Sequence, residues 1–228
     1  MSGRTIAPAS PAIPWLGAEE YVRGDEELLR QGFPAARVAV ISTPALSIGV
    51  SQGDDAPCVR GARRLGLPVV KRSTGGLGIL HSPGDLVWSL VLPRTDVRVG
   101  RDFSTAYARL GAGPVRFLSG LGVPGSWRPP RGLETDCCLL SGRGSVLNVA
   151  GRTLGGAAQH LTRAALLHHG VLPYRLEPAR LQAVFDLSSE LVARSLTSLE
   201  ELAAGRTPDE LAERLHVALA AELDPRSR

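Results

Sequence analysis

Residues 71–81 of the chain read Lys-Arg-Ser-Thr-Gly-Gly-Leu-Gly-Ile-Leu-His and directly follow the apolar run Pro-Val-Val at 68–70. A β-type run that enters consecutive glycines predicts a strand and then a loop whose backbone N–H groups a ligand can approach closely. Arg72 at the start of this loop could hold a carboxylate or a phosphate. The loop is not a Walker loop, because no Gly-Lys-Ser/Thr follows, and a plain hairpin turn is the alternative interpretation.

The segments around this glycine loop predict alternating helices and strands. Residues 17–32 predict a first helix with acidic residues early and Gly32 as its stop. The runs RVAVIST and ALSIGVSQ predict two strands, and a short helix at 59–65 leads into the strand before the glycine loop. A turn at 82–84 then precedes a buried strand, and residues 102–122 predict a single helix with its apolar positions on one face.

The second half of the chain predicts further strands and two closing helices. The strands correspond to the runs CCLLS, SVLNVAGRTLGGAAQ and AALLHHGVL. The last helix begins at Thr207 as N-cap, with Pro208 at its first position and Glu210 completing a capping box. Leucines then recur every four residues from Leu211 to Leu223, which predicts a stripe that faces the core.

Together these elements predict one α+β domain with a central mixed or antiparallel β-sheet flanked by helices. We assign residues 1–16 to an N-terminal extension and residues 17–228 to the domain, since 228 residues fit one large domain and no long linker or repeat interrupts them. Hydrophobic residues at 43% and charged residues at 21% are typical of a soluble globular protein. No stretch approaches the roughly 20 apolar residues of a membrane span.

Cysteine content and charge narrow the function classes. Three cysteines in 228 residues form no disulfide framework, and the N-terminus lacks a continuous apolar core for a secretory signal, so we expect a reducing cytoplasm. A net charge of +4 with 4% aromatic residues does not favour nucleic-acid binding. A mildly basic surface would instead suit an acidic protein partner.

Two pairs of adjacent residues are candidates for chemistry. On a strand, Cys137 and Cys138 would point to opposite faces, so one of them at most could face a given pocket. A thiol accepts an acyl group as the thiolate, which is a minor species at pH 7 unless a cation helps, and a buried structural cysteine is the alternative. His168 and His169 would diverge in the same way, and no matching Cys or carboxylate spacing occurs, so we predict no metal site.

Several motifs resemble, in order, the lipoate–protein ligase and octanoyltransferase family, which shares its fold with biotin protein ligases. ALSIGVSQ is similar to the family's early strand ending in Gly-x-x-Gln, here Gly49 to Gln52. ARRLGLPVVKRSTGGLGILH is similar to its helix, strand and glycine loop ending in His81. GRTLGGAAQ and the later HHG resemble its Gly-Arg-Lys-x-x-Gly-x-Ala-Gln block and downstream His-Gly.

The resemblance covers residues 17–223 and implies a β-sheet with an acyl-binding tunnel between sheet and loops. The Gly-Arg-Gly-Arg loop of biotin ligases is absent, which disfavours biotin. The family's substrate-binding positions fall on Arg72, Ser73, Thr74, Gly75, Gly76, Leu77, Gly78, His81, Thr153, Gly156, Ala158, Gln159, His169 and Gly170.

The resemblance implies one of two mechanisms. Octanoyltransferases of the cysteine type carry an octanoyl group from acyl carrier protein through an acyl-cysteine thioester, with no cofactor. Ligases activate lipoate with Mg-ATP. Cys138 lies fifteen residues before Thr153, the spacing of the transferase nucleophile, and the Asn-Asp pair common in ligases is missing. Leu77 replaces a third loop glycine of the ligases, which also favours the thioester route.

One departure puts activity in doubt. Both mechanisms use a lysine where this chain has Thr153, and losing one such electrostatic contact typically costs about 2.7–4 kcal/mol of transition-state stabilisation. Lys71 is the single lysine of the chain. Lys71, Arg143 or Arg152 could supply the positive charge of the missing lysine.

Three hypotheses follow. The first is a transferase that moves an octanoyl or lipoyl group through Cys138 to a lysine of a lipoyl domain or of the glycine-cleavage H protein. The second is an ATP-dependent lipoate ligase, and the third is a non-catalytic acyl-binding relative. We expect a monomer that binds neither nucleic acid nor membrane.

Overall fold

The computed structural model describes residues 12–100, 103–141 and 144–223. Strands and helices follow one another in mixed order along the chain. Their bounds are β1 Trp15–Leu16, α1 Ala18–Gln31, β2 Ala35–Ile41, β3 Ala45–Ile48, α2 Pro57–Arg64, β4 Val69–Lys71, β5 Ile79–His81, β6 Leu86–Pro93, α3 Phe103–Leu110, α4 Ala112–Ser119, β7 Gly125–Arg128, β8 Ser145–Val149, β9 Arg152–Leu161, β10 Ala165–Leu172, α5 Pro178–Phe185, α6 Ser189–Ser195, α7 Leu199–Leu202 and α8 Pro208–Leu223.

The strands form two sheets. The large sheet has the order β1-β2-β6-β10-β9-β8-β7, and its pairs are antiparallel except β1 with β2. The small sheet has the order β4-β3-β5, with β4 parallel and β5 antiparallel to β3. This is the predicted α+β architecture with a mixed sheet flanked by helices. Trp15 and Leu16 belong to the sheet, so it begins within the segment that the sequence assigned to an extension.

The large sheet separates two apolar layers because side chains of a strand alternate between its faces. On β6, Leu86, Trp88 and Leu90 pack into one layer with α4 and α8, whereas Val87 packs into the other with α1, α2 and the small sheet. Strand β6 is buried on both faces, which explains its continuous apolar run. The second layer, between the two sheets, contains the cavity described below.

Helix α8 confirms the capping prediction. The backbone N–H of Thr207 donates to Glu210 Oε2 at 3.1 Å, and the N–H of Glu210 donates back to Thr207 Oγ1 at 3.3 Å. Leu211, Leu215 and Leu219 are fully buried in the first layer. No helix in the described ranges is both long and apolar enough to cross a lipid bilayer.

The single helix predicted at 102–122 is wrong, because the structure has two helices that meet at Gly111. Pro114 lacks the N–H that a continuous helix would donate to Leu110, so the helix restarts. The indole N–H of Trp127 donates to the Gly111 carbonyl at 2.6 Å and occupies the space beside that glycine. Residue 102 itself lies outside the described residues.

Two further sequence predictions need correction. The run CCLLS is a turn rather than a strand, since the N–H groups of Leu140 and Ser141 both donate to the carbonyl of Cys137. Four short or medium helices, α5 to α8, replace the two predicted at the end of the chain. Ser188 and Ser198 cap α6 and α7 through their hydroxyl oxygens and so divide this segment.

Candidate active site

A cavity of about 240 Å³ opens between the large sheet and the small sheet. Its inner part is apolar, with Val22, Ile79, Val87 and Val171 on its walls. This volume is below the roughly 300–1,000 Å³ of pockets for drug-sized ligands, so the cavity suits a small, slender group. Its polar residues include Ser47, Arg72, His81, Gln159 and His169, and the Cys138 thiol lies beside them.

The glycine loop forms one wall of this cavity. It leaves β4 at Lys71 and returns through β5, so that the small sheet holds both of its ends. Gly76 has φ +96°, and a Cβ there would lie 2.9 Å from Arg72 Nη2 and 3.1 Å from Cys138 Sγ. Glycine at this position therefore allows the loop, the guanidinium and the thiol to pack together.

Arg72 fixes the shape of the loop. Its side chain is 6% exposed, and its Nη2 donates to the carbonyls of Gly75 and Leu77, each at 2.9 Å. Its Nη1 donates to the Ser47 carbonyl at 3.1 Å, and its Nε donates to Thr74 Oγ1 at 3.0 Å. Burial lowers the pKa of the guanidinium, whereas the charges of Cys138 and Tyr107 raise it.

Backbone hydrogen bonds position Cys138 against the glycine loop. The N–H of Cys138 donates to the Gly78 carbonyl at 2.9 Å, and the N–H of Gly78 donates to the Asp136 carbonyl at 2.8 Å. The Asp136 carboxylate accepts the N–H of Cys58 at the start of α2, at 3.1 Å. Helix α2 thereby anchors the turn that presents Cys138 to the cavity.

The three cysteines have different environments. Cys138 is partly exposed and lines the cavity, while Cys58 and Cys137 are buried in the second apolar layer. Burial raises the pKa of the Cys58 thiol and of the Cys137 thiol to about 12 each. The segment is a turn and not a strand, yet of the two adjacent cysteines Cys138 alone lines this cavity, in line with the expectation that at most one of them faces a given pocket.

A buried chain of hydrogen bonds runs behind the cavity. Thr74 Oγ1, which accepts from Arg72, lies 2.8 Å from His169 Nε2. His169 Nδ1 lies 2.7 Å from Asp25 Oδ2, and Asp25 Oδ1 accepts from Arg37 Nη2 at 2.6 Å. Asp25 is 2% exposed and comes from α1, far from the glycine loop in sequence. These contacts connect the first helix with the loop.

The two adjacent histidines of β10 lie on opposite faces of the sheet, as predicted. His169 faces α1, and its ring stacks on Tyr21 with 6.3 Å between ring centroids. His168 packs on Trp88, 5.0 Å between ring centroids, and burial lowers its pKa to about 3. In the described part of the chain, no group of three His, Cys, Asp or Glu side chains could hold a metal ion.

His81 is a buried cavity histidine. Its Nε2 lies 2.9 Å from Ser47 Oγ, and burial, with the charge of Arg72, lowers its pKa to about 3. It therefore stays neutral at physiological pH. Tyr107 on α3 lines the opposite side, where its hydroxyl donates to the Ala157 carbonyl at 3.2 Å, and burial raises its pKa to about 12.

Most of the residues that the sequence singled out lie together. The ones that line the cavity are Arg72, Gly75, Gly76, His81, Cys138, Gly156, Ala158, Gln159, His169 and Gly170. Thr74 is fully buried behind Arg72, and the Ser73 carbonyl lies 2.6 Å from His160 Nδ1. Leu77 instead lines a groove beside α2 and α5, and Gly78 pairs with Cys137 outside the cavity.

Thr153 is not part of the cavity lining. It is 1% exposed at the start of β9, and its carbonyl accepts the N–H of Thr197 at 2.9 Å. A bridge to Leu196 covers this position. The threonine therefore places no functional group where the resemblance implies an ammonium.

Sequence reasoning missed several residues of this region. Tyr21, Val22, Tyr107 and Ala157 line the cavity, and Asp25 stands behind it. Asp25 lies four residues after Tyr21 and four before Leu29, on the buried face of α1. An acid in an apolar helical stripe was the available signal, since such an acid needs a buried partner.

The fold and the cavity define a class of protein: an α+β domain with a small, mostly apolar cavity beside a cysteine and a buried arginine. The chain belongs to the family described as the lipoyl protein ligase A/B catalytic domain, whose model matches residues 24–220. This membership confirms the resemblance found in the sequence.

Curated relatives are octanoyltransferases. The chain is 28% identical to octanoyltransferase LipM of Geobacillus kaustophilus over 173 residues, which are 72% of this chain and 62% of that protein. It is 29% identical to octanoyltransferase LipM of Kyrpidia tusciae over 215 residues, 84% of this chain and 78% of that one. The chain thus matches less than two thirds of the length of the first of these relatives.

Solved structures share the fold. A lipoate-protein ligase A bound with ATP superposes with a TM-score of 0.73 at 20% identity, over 93% of this chain and 85% of that one. Protein Ta0514 of T. acidophilum, solved with bound lipoic acid, also gives a TM-score of 0.73 at 20% identity, over 98% and 86%. At such identities the likeness establishes the fold alone.

Proposed function

We propose that the chain is a cysteine-dependent acyltransferase that moves an octanoyl or lipoyl group to a lysine of a lipoyl domain. The observation that carries the proposal is the position of Cys138, the cysteine that reaches the cavity, next to the glycine loop and a buried cation. Family membership and relatives that are octanoyltransferases support the same activity. The proposed donor is an octanoyl thioester of acyl carrier protein.

In the first half-reaction, the Cys138 thiolate attacks the thioester carbonyl of the donor. The bond between that carbonyl carbon and the donor sulfur breaks, and the donor thiolate leaves and takes up a proton. The acyl chain then occupies the apolar part of the cavity, between Val22, Val87 and Val171. Water is excluded there, which protects the thioester from hydrolysis.

In the second half-reaction, the neutral amine of the acceptor lysine attacks the carbonyl carbon of the acyl-cysteine. The carbon–sulfur bond breaks, Cys138 leaves as the thiolate, and the amine nitrogen loses a proton as the amide forms. No cofactor takes part in this sequence. Energy for amide formation comes from the thioester, so ATP is not required.

Transfer to a purified lipoyl domain tests this proposal. Wild-type protein is incubated with octanoyl acyl carrier protein, or with octanoate or lipoate and Mg-ATP, and the mass of the lipoyl domain is measured. We expect octanoylation from the carrier protein without ATP, and none with Cys138→Ser. Cys137→Ser is the matched control, because its thiol is buried outside the cavity, and it should retain transfer.

Two results would contradict the transferase. Modification from free lipoate that depends on Mg-ATP and survives Cys138→Ser would establish a ligase. Saturable binding of octanoate or lipoate without modification of the lipoyl domain under any condition would establish a non-catalytic acyl-binding protein. That hypothesis rests on the threonine at position 153, where the family has a lysine.

A further inference from the structure

Among the described residues, the buried Arg72 beside the proposed nucleophile has no charged partner. The acceptors of Arg72 are the carbonyls of Ser47, Gly75 and Leu77 and the hydroxyls of Thr74 and Ser47, all of them neutral. None of the ion pairs in the described part of the chain includes Arg72. An isolated buried charge is costly, so an anion formed next to it is strongly stabilised.

Cys138 lies beside Arg72 and can become such an anion. Its Sγ and Arg72 Nη2 each lie within 3.1 Å of the position that a Cβ on Gly76 would take, so at most about twice that distance separates them. Tyr107 and Cys137 also lie near the thiol, and burial holds both in the neutral form at pH 7. His81 and His169 share the cavity.

Other cations considered from the sequence are engaged elsewhere. Lys71 is paired with Asp54, 3.3 Å from Nζ to Oδ1, and Arg152 is paired with Glu201. Neither residue lines the cavity, whereas Arg72 does. Arg143 lies outside the described residues and is therefore included in the test below.

A chain of hydrogen bonds supports the side chain of Arg72. A guanidinium can only donate, so Thr74 Oγ1 accepts from Arg72 Nε and its own hydrogen can point to His169 Nε2. A carboxylate can only accept, so His169 Nδ1–H donates to Asp25 Oδ2, and the other carboxylate oxygen, Oδ1, pairs with Arg37. These contacts connect α1 with the glycine loop.

We propose that Arg72 is the cation that stabilises the Cys138 thiolate in this chain, in place of the lysine absent at position 153, and that Thr74, His169 and Asp25 act as positioning residues for it. The proposal deepens the proposed function, since it assumes that Cys138 acts as a thiolate. Its test uses the thiol alone and needs no acyl substrate, so the two proposals can fail separately.

The rate of Cys138 alkylation by iodoacetamide, followed from pH 6 to 9.5, reports the thiolate. Cys58 and Cys137 should not react with iodoacetamide in this range, because burial raises the pKa of each thiol to about 12. We expect Arg72→Gln to slow alkylation at pH 7 about tenfold, with an unchanged plateau at high pH, and Arg72→Lys to retain most of the wild-type rate. A structural role alone would change the plateau rather than the pH profile.

The positioning chain is tested at Thr74. Thr74→Val keeps the volume but removes the hydroxyl between Arg72 and His169, so we expect the profile to move part of the way towards that of Arg72→Gln. Thr74→Ser restores the hydroxyl and should restore the wild-type profile. If circular dichroism shows that Arg72→Gln does not fold, the pH profiles of Arg72→Lys, Thr74→Val and Thr74→Ser test whether Arg72 stabilises the thiolate.

Three results would overturn the inference. An unchanged profile in a folded Arg72→Gln variant would show that Arg72 does not act on the thiol. A profile that moves with His169→Gln or Arg143→Gln, but not with Arg72→Gln, would assign the thiolate to those groups. Arg152→Gln is the matched control for loss of one positive charge away from the cavity. A comparable shift of its pH profile would show that the effect comes from the overall charge of the protein and not from Arg72.

Discussion

At the scale of single residues, the packing of the glycine loop depends on the absence of a Cβ atom at one position. Gly76 has a positive φ, and a Cβ there would press on Arg72 and Cys138, whereas a Cβ on Gly75 would meet nothing within 4 Å. The two adjacent glycines therefore differ in how strictly their surroundings require a glycine. The first faces open space, and the second permits the contact on which the site depends.

We predict that Gly76→Ala lowers the free energy of unfolding by about 1–3 kcal/mol, because of the strained φ and the crowding of two neighbours. Gly75→Ala should change it by less than about 1 kcal/mol. Urea denaturation of both variants measures the difference. Equal losses would show that the loop relaxes and that the packing around Gly76 is not specific.

The sequence shows the glycine loop and Cys138 because both rest on local patterns: consecutive glycines after a β-type run, and a thiol at a family spacing. It could show that Asp25 needs a buried partner but not which one, since the contact with His169 joins residues 144 positions apart. It also misplaced Thr153, because whether a side chain reaches a cavity depends on how neighbouring elements such as Leu196 cover it.

At the scale of elements, α8 and the turn at 137–141 illustrate what periodicity can and cannot predict. The four-residue leucine spacing and the capping box of α8 are self-contained signals, and both are confirmed. The run CCLLS looks like a strand by composition, yet its hydrogen bonds are local. Composition fails there because pairing partners decide whether an apolar run becomes a strand.

We predict that Leu215→Ala costs about 2–5 kcal/mol of unfolding free energy, since Leu215 is fully buried against the first apolar layer. Val217 lies on the same helix and is 64% exposed, so Val217→Ala is the control and should change stability by no more than about 0.5 kcal/mol. Thermal and urea unfolding compare the two. Similar losses would mean that α8 does not pack as described.

At the scale of the whole molecule, buried neutral histidines couple folding to pH. Burial lowers the pKa of His168 to about 3, below the value of about 6.5 for an exposed histidine. Between these values the unfolded chain binds a proton that the folded chain excludes. The contribution to stability is therefore complete above about pH 6.5 and is lost as the pH falls below it.

We predict that lowering the pH from 7.5 to 5.5 destabilises the wild type by about 1.4 kcal/mol more than it destabilises His168→Asn. Asparagine has no proton to gain, and its amide oxygen can replace Nδ1, which lies 3.0 Å from Gln159 Nε2. Urea denaturation at both pH values gives the four free energies. Equal pH dependence in the two proteins would show that His168 is protonated inside the fold.

The architecture of the molecule was predictable because its longer elements, such as β6 and α8, repeat their patterns over several residues, so errors in shorter segments did not change the fold. The cavity was predictable in part, through motifs that belong to one segment each. What holds the site together comes from four separate segments, α1, the glycine loop, the turn at Cys138 and β10. Tertiary packing alone brings them together.

The central claim is that Cys138 carries the acyl group, and intact-protein mass spectrometry after incubation with octanoyl acyl carrier protein tests it most directly. We predict a gain of one octanoyl group, located on Cys138 by peptide mapping, absent in Cys138→Ser and discharged when a lipoyl domain is added without ATP. A folded wild-type protein that gains no mass while it octanoylates the lipoyl domain, or an adduct on another residue, would contradict the account.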